Sequence, residues 1–416
     1  MPMDLFVVIT LLVIVSAFFS YINARFVKLP GTIGTVLIAT IVSIVILVVD
    51  KLDPHTAKYL TTLAKNIDFS KVVLNVMLGF LLFSSAFNLD GKKLKKEMRP
   101  VFVLSTLGVI ISTAVFGFLL YFLAPFFHIH MPLMYCLLFG ALVSPTDPVA
   151  VSAIIKNSKL PAHLETIISG ESLFNDGIGL ILFVIILEIT KVGESNIEAS
   201  QVLLLIVKEV LGGILAGAFL GYVAQRLMKS VKDFQTIVLI SLALVMGLSV
   251  LATIFSFSIP LAIVTAGLFA GSHSINQDNK EKSHESLEKF WQLVDEMLNT
   301  ILFVMIGLQL INLPFVNNYW VTGSISIVFI LLARWLSIML PLTFLRHSLK
   351  VNYSNINVMT WAGLRGGISI ALALTLPDTP YRHLILSGSY FIVIFSVIVQ
   401  GLTLNAMINR SAKFIG

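Results

Sequence analysis

The chain is poor in charge and nearly without cysteine. Asp, Glu, Lys and Arg make up 12% of its 416 residues, against roughly 25% in ordinary soluble domains. Its one cysteine, Cys136, leaves no internal disulfide and no cysteine-based metal cluster to consider, and an apolar stretch around it makes it a packing residue. Missing too is any phosphate-cradling Gly-rich loop, so nothing points to ATP as an energy source. Apolar residues are what the chain has in excess: 57% are hydrophobic and the mean hydropathy is +0.95. A soluble protein of this size could bury such a core but could not cover it with polar surface. Composition excludes a conventional cytoplasmic enzyme, a nucleic-acid binder and a disordered chain. It leaves a polytopic protein of the lipid bilayer.

A span needs about 20 mostly apolar residues. That ruler gives thirteen candidate helices, centred near Val13, Ile41, Gly79, Ile111, Ala141, Asp176, Ala216, Leu244, Val264, Phe303, Leu332, Ile368 and Ile394. The first lacks a basic flank and a small-residue cleavage site, so it reads as a retained span. Connections after odd-numbered spans, with the C-terminus, hold 19 of the 28 Lys and Arg; the N-terminus and the other connections hold 6. Lys208, Arg334 and Arg365 lie within spans. This bias puts the C-terminus in the cytoplasm and the N-terminus outside the cell membrane, and accounts for the net charge of +6. No soluble domain is expected; residues 1–416 read as one transmembrane unit. The longest connections are Asp50–Lys71 and Gly271–Glu296. In the second, Leu287, Phe290, Trp291, Leu293 and Val294 among charges suggest either a short interfacial amphipathic helix or a solvated loop entering span 10. The basic run Lys92, Lys93, Lys95, Lys96 and Arg99 reads first as topogenic, with anionic lipid a second possibility.

Ionisable residues inside a span cost at least ~2.5–3.5 kcal/mol each at its centre, so their presence is the main functional signal. Glu188 lies near a span end, and Lys208 with Glu209 read as snorkelling to the outer interface. Deeper are Asp147, Glu171, Asp176, Arg334 and Arg365. Span 5 contains Ser144-Pro145-Thr146-Asp147-Pro148. Pro145 and Pro148 remove two donors and clash with the preceding turn, so the helix should open around Thr146 and Asp147. Freed carbonyls at such a break bind a cation where they line a cavity; the alternative is a proline kink with an incidental capping Asp. In span 6, Ser172 and Asp176 are i, i+4 and share a face, as do Glu171 and Asn175 on the neighbouring one. Hydroxyl and carboxylate oxygens opposite a broken span suit a hard cation; a polar helix–helix contact is the alternative. Arg334, deep in span 11, must find an anion, and Glu171 is the in-span acid least suited to the cation site. Span 12 contains Gly363-Leu364-Arg365-Gly366-Gly367. Gly363, Gly366 and Gly367 permit an opening, where Arg365 supplies fixed positive charge, or else they give close packing while Arg365 reaches the interface. Breaks in spans 5 and 12 are seven spans apart, and an odd offset inverts topology. Spans 1–6 and 8–13 then read as two inverted six-helix repeats joined by span 7.

The stretches Ser144-Pro145-Thr146-Asp147-Pro148-Val149-Ala150 and Gly170-Glu171-Ser172-Leu173-Phe174-Asn175-Asp176-Gly177 resemble the two signature motifs of the cation:proton antiporter 1 family. These are the sodium/proton exchangers of the bacterial NhaP type and their animal relatives. Phe303-Val304-Met305-Ile306-Gly307-Leu308 and Gly363-Leu364-Arg365-Gly366-Gly367 look like two further family motifs, in the right order. The resemblance implies a homodimer of thirteen-helix protomers with a moving core around crossed, broken helices. It implies Asp176 as the carboxylate that binds Na+ or H+, with Asp147, Thr146 and Ser172 as co-ligands, and a stabilising Glu171–Arg334 pair. Asn175 stands where electrogenic relatives carry a second Asp, which resembles the electroneutral, one-for-one class. One departure lies in Leu81-Leu82-Phe83-Ser84-Ser85-Ala86, where Ser84 replaces an acid frequent in the family; an acidic site in span 3 is put in doubt.

The implied activity is secondary antiport without a cofactor, the transported Na+ and H+ competing for one carboxylate. K+ or Li+ as the preferred cation is the nearest alternative, since a few oxygen ligands suit several ions. A cation channel is a more distant one, for no filter segment or charged ring is present. His128 and His130, in an outer loop, lack a third ligand and read as exposed rather than metal-binding.

Overall fold

The computed structural model describes residues 5–52, 69–148, 160–192, 199–271, 282–313, 319–345 and 353–412, with Val151, Ile155 and Ser158. Val149 and Ala150 of the first motif lie outside the described residues, as do residues 53–68 and 272–281 of the two long connections. Every regular element among the described residues is a helix. In chain order these are α1 (Leu5–Ile22), α2 (Gly31–Leu52), α3 (Phe69–Phe87), α4 (Gly91–Lys96), α5 (Met98–Phe127), α6 (Leu133–Val143), α7 (Ala162–Val192), α8 (Ala199–Ser230), α9 (Phe234–Phe255), α10 (Ile259–Gly271), α11 (Lys282–Leu308), α12 (Tyr319–Phe344), α13 (Ile356–Trp361), α14 (Gly367–Thr375) and α15 (Arg382–Arg410).

Among the described residues, ten helices are long and apolar enough to cross a bilayer. The centres at Ala141, Val264 and Ile368 fall on shorter helices, α6, α10 and α14, of 11, 13 and 9 residues. At about 1.5 Å per residue none of these covers a core of about 30 Å alone. The burial pattern is that of a membrane protein. Phe18, Phe126, Phe219 and Trp320 face outward, while Glu171, Asn175, Asp176, Arg334 and Arg365 are enclosed. Near the span ends, Glu188 is exposed and paired with Lys191 at 2.8 Å; Lys208 is exposed and Glu209 half-buried. His128 and His130 are exposed, Cys136 is buried, and no metal-binding group of His, Cys, Asp and Glu occurs among the described residues.

Small residues bring the helices together. On α8, Gly213, Gly217 and Gly221 recur every fourth position against α10, where a Cβ would sit 2.9 Å from the Ser258 carbonyl, 2.2 Å from the Ala262 carbonyl and 2.8 Å from Ala266 Cα. Such stripes let backbones approach where lipid gives helices no hydrophobic reason to associate. Gly140 of α6 likewise lies under the Thr113 carbonyl of α5, 2.6 Å from where its Cβ would be. Three buried clusters result among the described residues: the largest includes α5, α6, α7, α12, α14 and α15, the second α3, α8, α9, α10 and the start of α11, and a small third α1, α2 and Val304 of α11.

The segment from Leu287 to Val294 is neither a separate interfacial helix nor a loop. It belongs to α11, continuous to Leu308. Trp291 is fully buried, its ring 4.6 Å from that of Phe83. Its indole N–H donates to Ser241 Oγ at 3.2 Å, and its carbonyl accepts from Ser84 Oγ at 2.8 Å. An aromatic with its polar atom satisfied packs as well as any core residue.

Candidate functional site

Helix α6 stops where proline chemistry requires. Ser144 makes its last bond, to the Gly140 carbonyl at 3.0 Å; Pro145 has no N–H to continue the ladder. Helical conformation returns only at Pro148. Across from it α13 ends at Trp361, Gly363 to Arg365 are non-helical, and an extended Gly366 starts α14.

The two breaks bond to each other. Asp147 N–H donates to the Leu364 carbonyl at 2.7 Å. Arg365 Nη1 donates to the carbonyls of Ser144 and, at 2.8 Å, Pro145, while its backbone N–H donates to Ser396 Oγ at 2.8 Å. Arg365 is 2% exposed and so does not reach the interface. Two carbonyls at the break are therefore occupied by a guanidinium. Buried backbone oxygens at a helix end need such a partner.

Behind the first break stands α7. Asn175 Nδ2 donates to Thr146 Oγ1 at 2.7 Å, and Thr146 N–H donates to Asn175 Oδ1 at 3.2 Å. Ser172 Oγ and Thr146 Oγ1 are 2.8 Å apart and hydrogen-bonded, and either hydroxyl can donate. Thr146 is thus held at its amide and its hydroxyl by two positions of one helix. Glu171 leaves from another side of α7 to meet Arg334 of α12: Nη2 donates to Oε2 at 2.8 Å and Nη1 to Oε1. Both side chains are buried. The parallel geometry is the one in which guanidinium and carboxylate match best.

Asp147 and Asp176 face one cavity, together with Thr146, Ser85, Asn299 and Ser369. It offers about 30 Å³ to the centres of water-sized occupants, enough for a water or a partly dehydrated monovalent ion. Among the described residues its wall carries no Lys, Arg or His. Asp176 is 4% exposed, and Asp147 is more open. Ser172 and Asn175 are not in the wall but bond to Thr146, which is. The polar contribution of span 3 comes from Ser85; Ser84 turns away to Trp291. Ser85, Asn299 and Ser369 are residues the sequence reading did not single out, because one neutral polar residue in an apolar run is common and names no partner.

A model of the family described as sodium/hydrogen exchanger, transmembrane, matches residues 14–410. The chain belongs to the sodium/hydrogen exchanger family. It is 39% identical over 396 residues to the Na+/H+ antiporter NhaP of Pseudomonas aeruginosa, covering 94% of this chain and 93% of that protein. It is 31% identical over 413 residues to the Na+/H+ antiporter NhaH of Halobacillus aidingensis, covering 98% of each. Its fold is that of the sodium proton antiporter MjNhaP1 from Methanocaldococcus jannaschii, with a TM-score of 0.77 at 19% identity, over 98% of this chain and 99% of that one. Members of this family are membrane transporters, not enzymes.

In this exchanger the glycines of the second break make room for the site. A Cβ on Gly366 would sit 2.5 Å from Asp147 Oδ2, and one on Gly363 2.8 Å from Arg334 Nε. Gly366→Ala is expected to displace the Asp147 carboxylate and cut exchange by about fivefold to a hundredfold, since overpacking a tight contact costs about 1–3 kcal/mol and about 1.4 kcal/mol is a factor of ten in rate. Initial rates in proteoliposomes, against a control at Gly91, where a Cβ would meet nothing within 4 Å, check this; a wild-type rate would mean that Asp147 yields freely.

Proposed function

We propose that the chain exchanges Na+ for H+ across a cell membrane by alternating access, with Asp176 as the carboxylate the two ions share. The observation that carries the reading is the buried cavity beside the two breaks, walled among the described residues by Asp147, Asp176 and neutral oxygen donors and by no cation. Asp176 holds a proton or a sodium ion, not both. Asp147 and Thr146 supply further oxygens; Ser172 and Asn175 hold Thr146 in place. When the core faces one side Na+ displaces H+, and after it moves the reverse occurs. No cofactor takes part; the ions are cargo and their gradients drive the cycle.

One-for-one stoichiometry is supported by the fixed charges. Glu171 offsets Arg334, and Arg365, held at the Ser144 and Pro145 carbonyls, brings one positive charge to the break that carries the one negative charge of Asp147. Asp176 remains, neutralised once by either ion, and Asn175 adds no charge. Architecturally, the reading takes the short helices α6, α10 and α14 as parts of full spans. That makes thirteen, in two inverted six-helix repeats joined by α8, with the N-terminus outside and the C-terminus in the cytoplasm. The protein is taken to work as a homodimer, as the family resemblance implies.

The test is a panel of Na+, Li+ and K+ in proteoliposomes across pH, with the membrane potential clamped and free. Sodium-driven proton flux at the same rate in both conditions is expected. A K+-only response would replace the cation, dependence on potential would overturn the stoichiometry, and non-saturating flux without proton coupling would make the protein a channel.

A further inference from the structure

The basic segment between α3 and α5 has no part in the exchange site. Asp90 caps α4, accepting from the amides of Lys92 at 2.9 Å and Lys93 at 3.2 Å. The capped helix turns Lys92, Lys93, Lys95 and Lys96 outward, and Arg99 at the start of α5 is exposed as well. Lys93 lies 3.9 Å from Asp90. Among the described residues, Lys92, Lys95, Lys96 and Arg99 have no ion-pair partner. On α5, Met98 and Phe102 are i, i+4 and exposed at 39% and 63%. Cations at a span end, next to outward apolar side chains, match a headgroup with its acyl chains. A soluble anion would make no use of Met98 and Phe102.

The other side of the same segment rests on α7. Leu94 is 2% exposed. A Cβ on Gly170 would sit 2.9 Å from Leu94 Cδ1 and 3.0 Å from Val101 Cγ2. Gly170 immediately precedes Glu171 and Ser172, one turn and a half before Asp176. One six-residue helix thus presents its cations outward and its single leucine to the helix that carries the exchange carboxylate.

We propose that Lys92, Lys93, Lys95, Lys96 and Arg99 form a docking surface for anionic phospholipid headgroups, which clamps α4 and Leu94 against Gly170 of α7. The test uses the purified full chain in a neutral detergent. Its thermal unfolding midpoint is followed on adding phosphatidylglycerol, phosphatidylcholine or glycerol phosphate. Phosphatidylglycerol is expected to raise the midpoint and the other two to leave it unmoved. K92Q/K95Q/K96Q/R99Q is expected to lose most of the rise. K95Q/K96Q, which keeps three cations for topology, is expected to lose part of it. A full rise in the fourfold variant, or the same rise with phosphatidylcholine or glycerol phosphate, overturns the proposal. In proteoliposomes, added phosphatidylglycerol should speed exchange by the wild type more than by K95Q/K96Q; equal acceleration removes the coupling to α7. The thermal arm reads binding without transport, so its failure and that of the exchange reading are distinguishable.

Discussion

Asp176→Asn is expected to reduce sodium–proton exchange to the level of protein-free liposomes while leaving the fold intact. Asparagine keeps the shape of the side chain but neither takes up and releases a proton nor carries the charge that holds sodium. The carboxylate is 4% exposed and lines the cavity beside the two breaks. Removing a buried charge relieves a desolvation cost, so the variant should unfold at a temperature no lower than wild type. That separates lost chemistry from lost structure. Asp147→Asn is the informative companion. Asp147 is more open and tied through its backbone to Leu364, so a weakened apparent sodium affinity with residual turnover is expected. If Asp176→Asn exchanged normally and Asp147→Asn did not, the two roles would be reversed.

Scarcity of charge made much of this legible in the sequence. In a chain this apolar, a carboxylate or guanidinium inside a span has to be accounted for, and Asp147, Glu171, Asp176, Arg334 and Arg365 stand out for that reason. All thirteen apolar centres fall on helices, because period and length carry that information directly. What stayed hidden is rotation and reach. Ser84 and Ser85 are adjacent, yet successive helical residues point about 100° apart, so one bonds the Trp291 carbonyl and the other faces the cavity. Trp291 sits among charges that read as an interface, but α11 runs on beyond its apolar part and carries the ring into the cluster around Phe83. The partners of Arg365 were hidden too, since carbonyls at a distant helix break have no sequence signature of their own. Asn299 lies on α11, three residues before Leu302 of the same wall, and nothing local sets it apart from any polar residue between helices.

The Glu171–Arg334 pair should carry the largest effect on stability. Both side chains are buried and doubly bonded to each other. Losing one partner leaves the other charge enclosed and unmatched, which typically costs about 3–5 kcal/mol, a large share of the ~5–15 kcal/mol that holds an ordinary protein folded. Glu171→Gln and Arg334→Gln should therefore each lower the unfolding temperature sharply and reduce the yield of monodisperse protein from the membrane. Removing Glu171 should be the worse of the two. Arg334 Nε already lacks a partner among the described residues, and without Glu171 the guanidinium also loses the two bonds it makes to that carboxylate. The reversal Glu171→Arg with Arg334→Glu re-forms the same two charges between α7 and α12 and is expected to recover most of the loss, by size-exclusion profile and by unfolding temperature. Were the reversal as unstable as the single changes, the helices would be held by shape around these side chains and not by their charge. Recovered folding with a lower exchange rate is the further expectation, since Ser172 follows Glu171 directly and any shift of α7 moves the hydroxyl that holds Thr146 at the cavity wall.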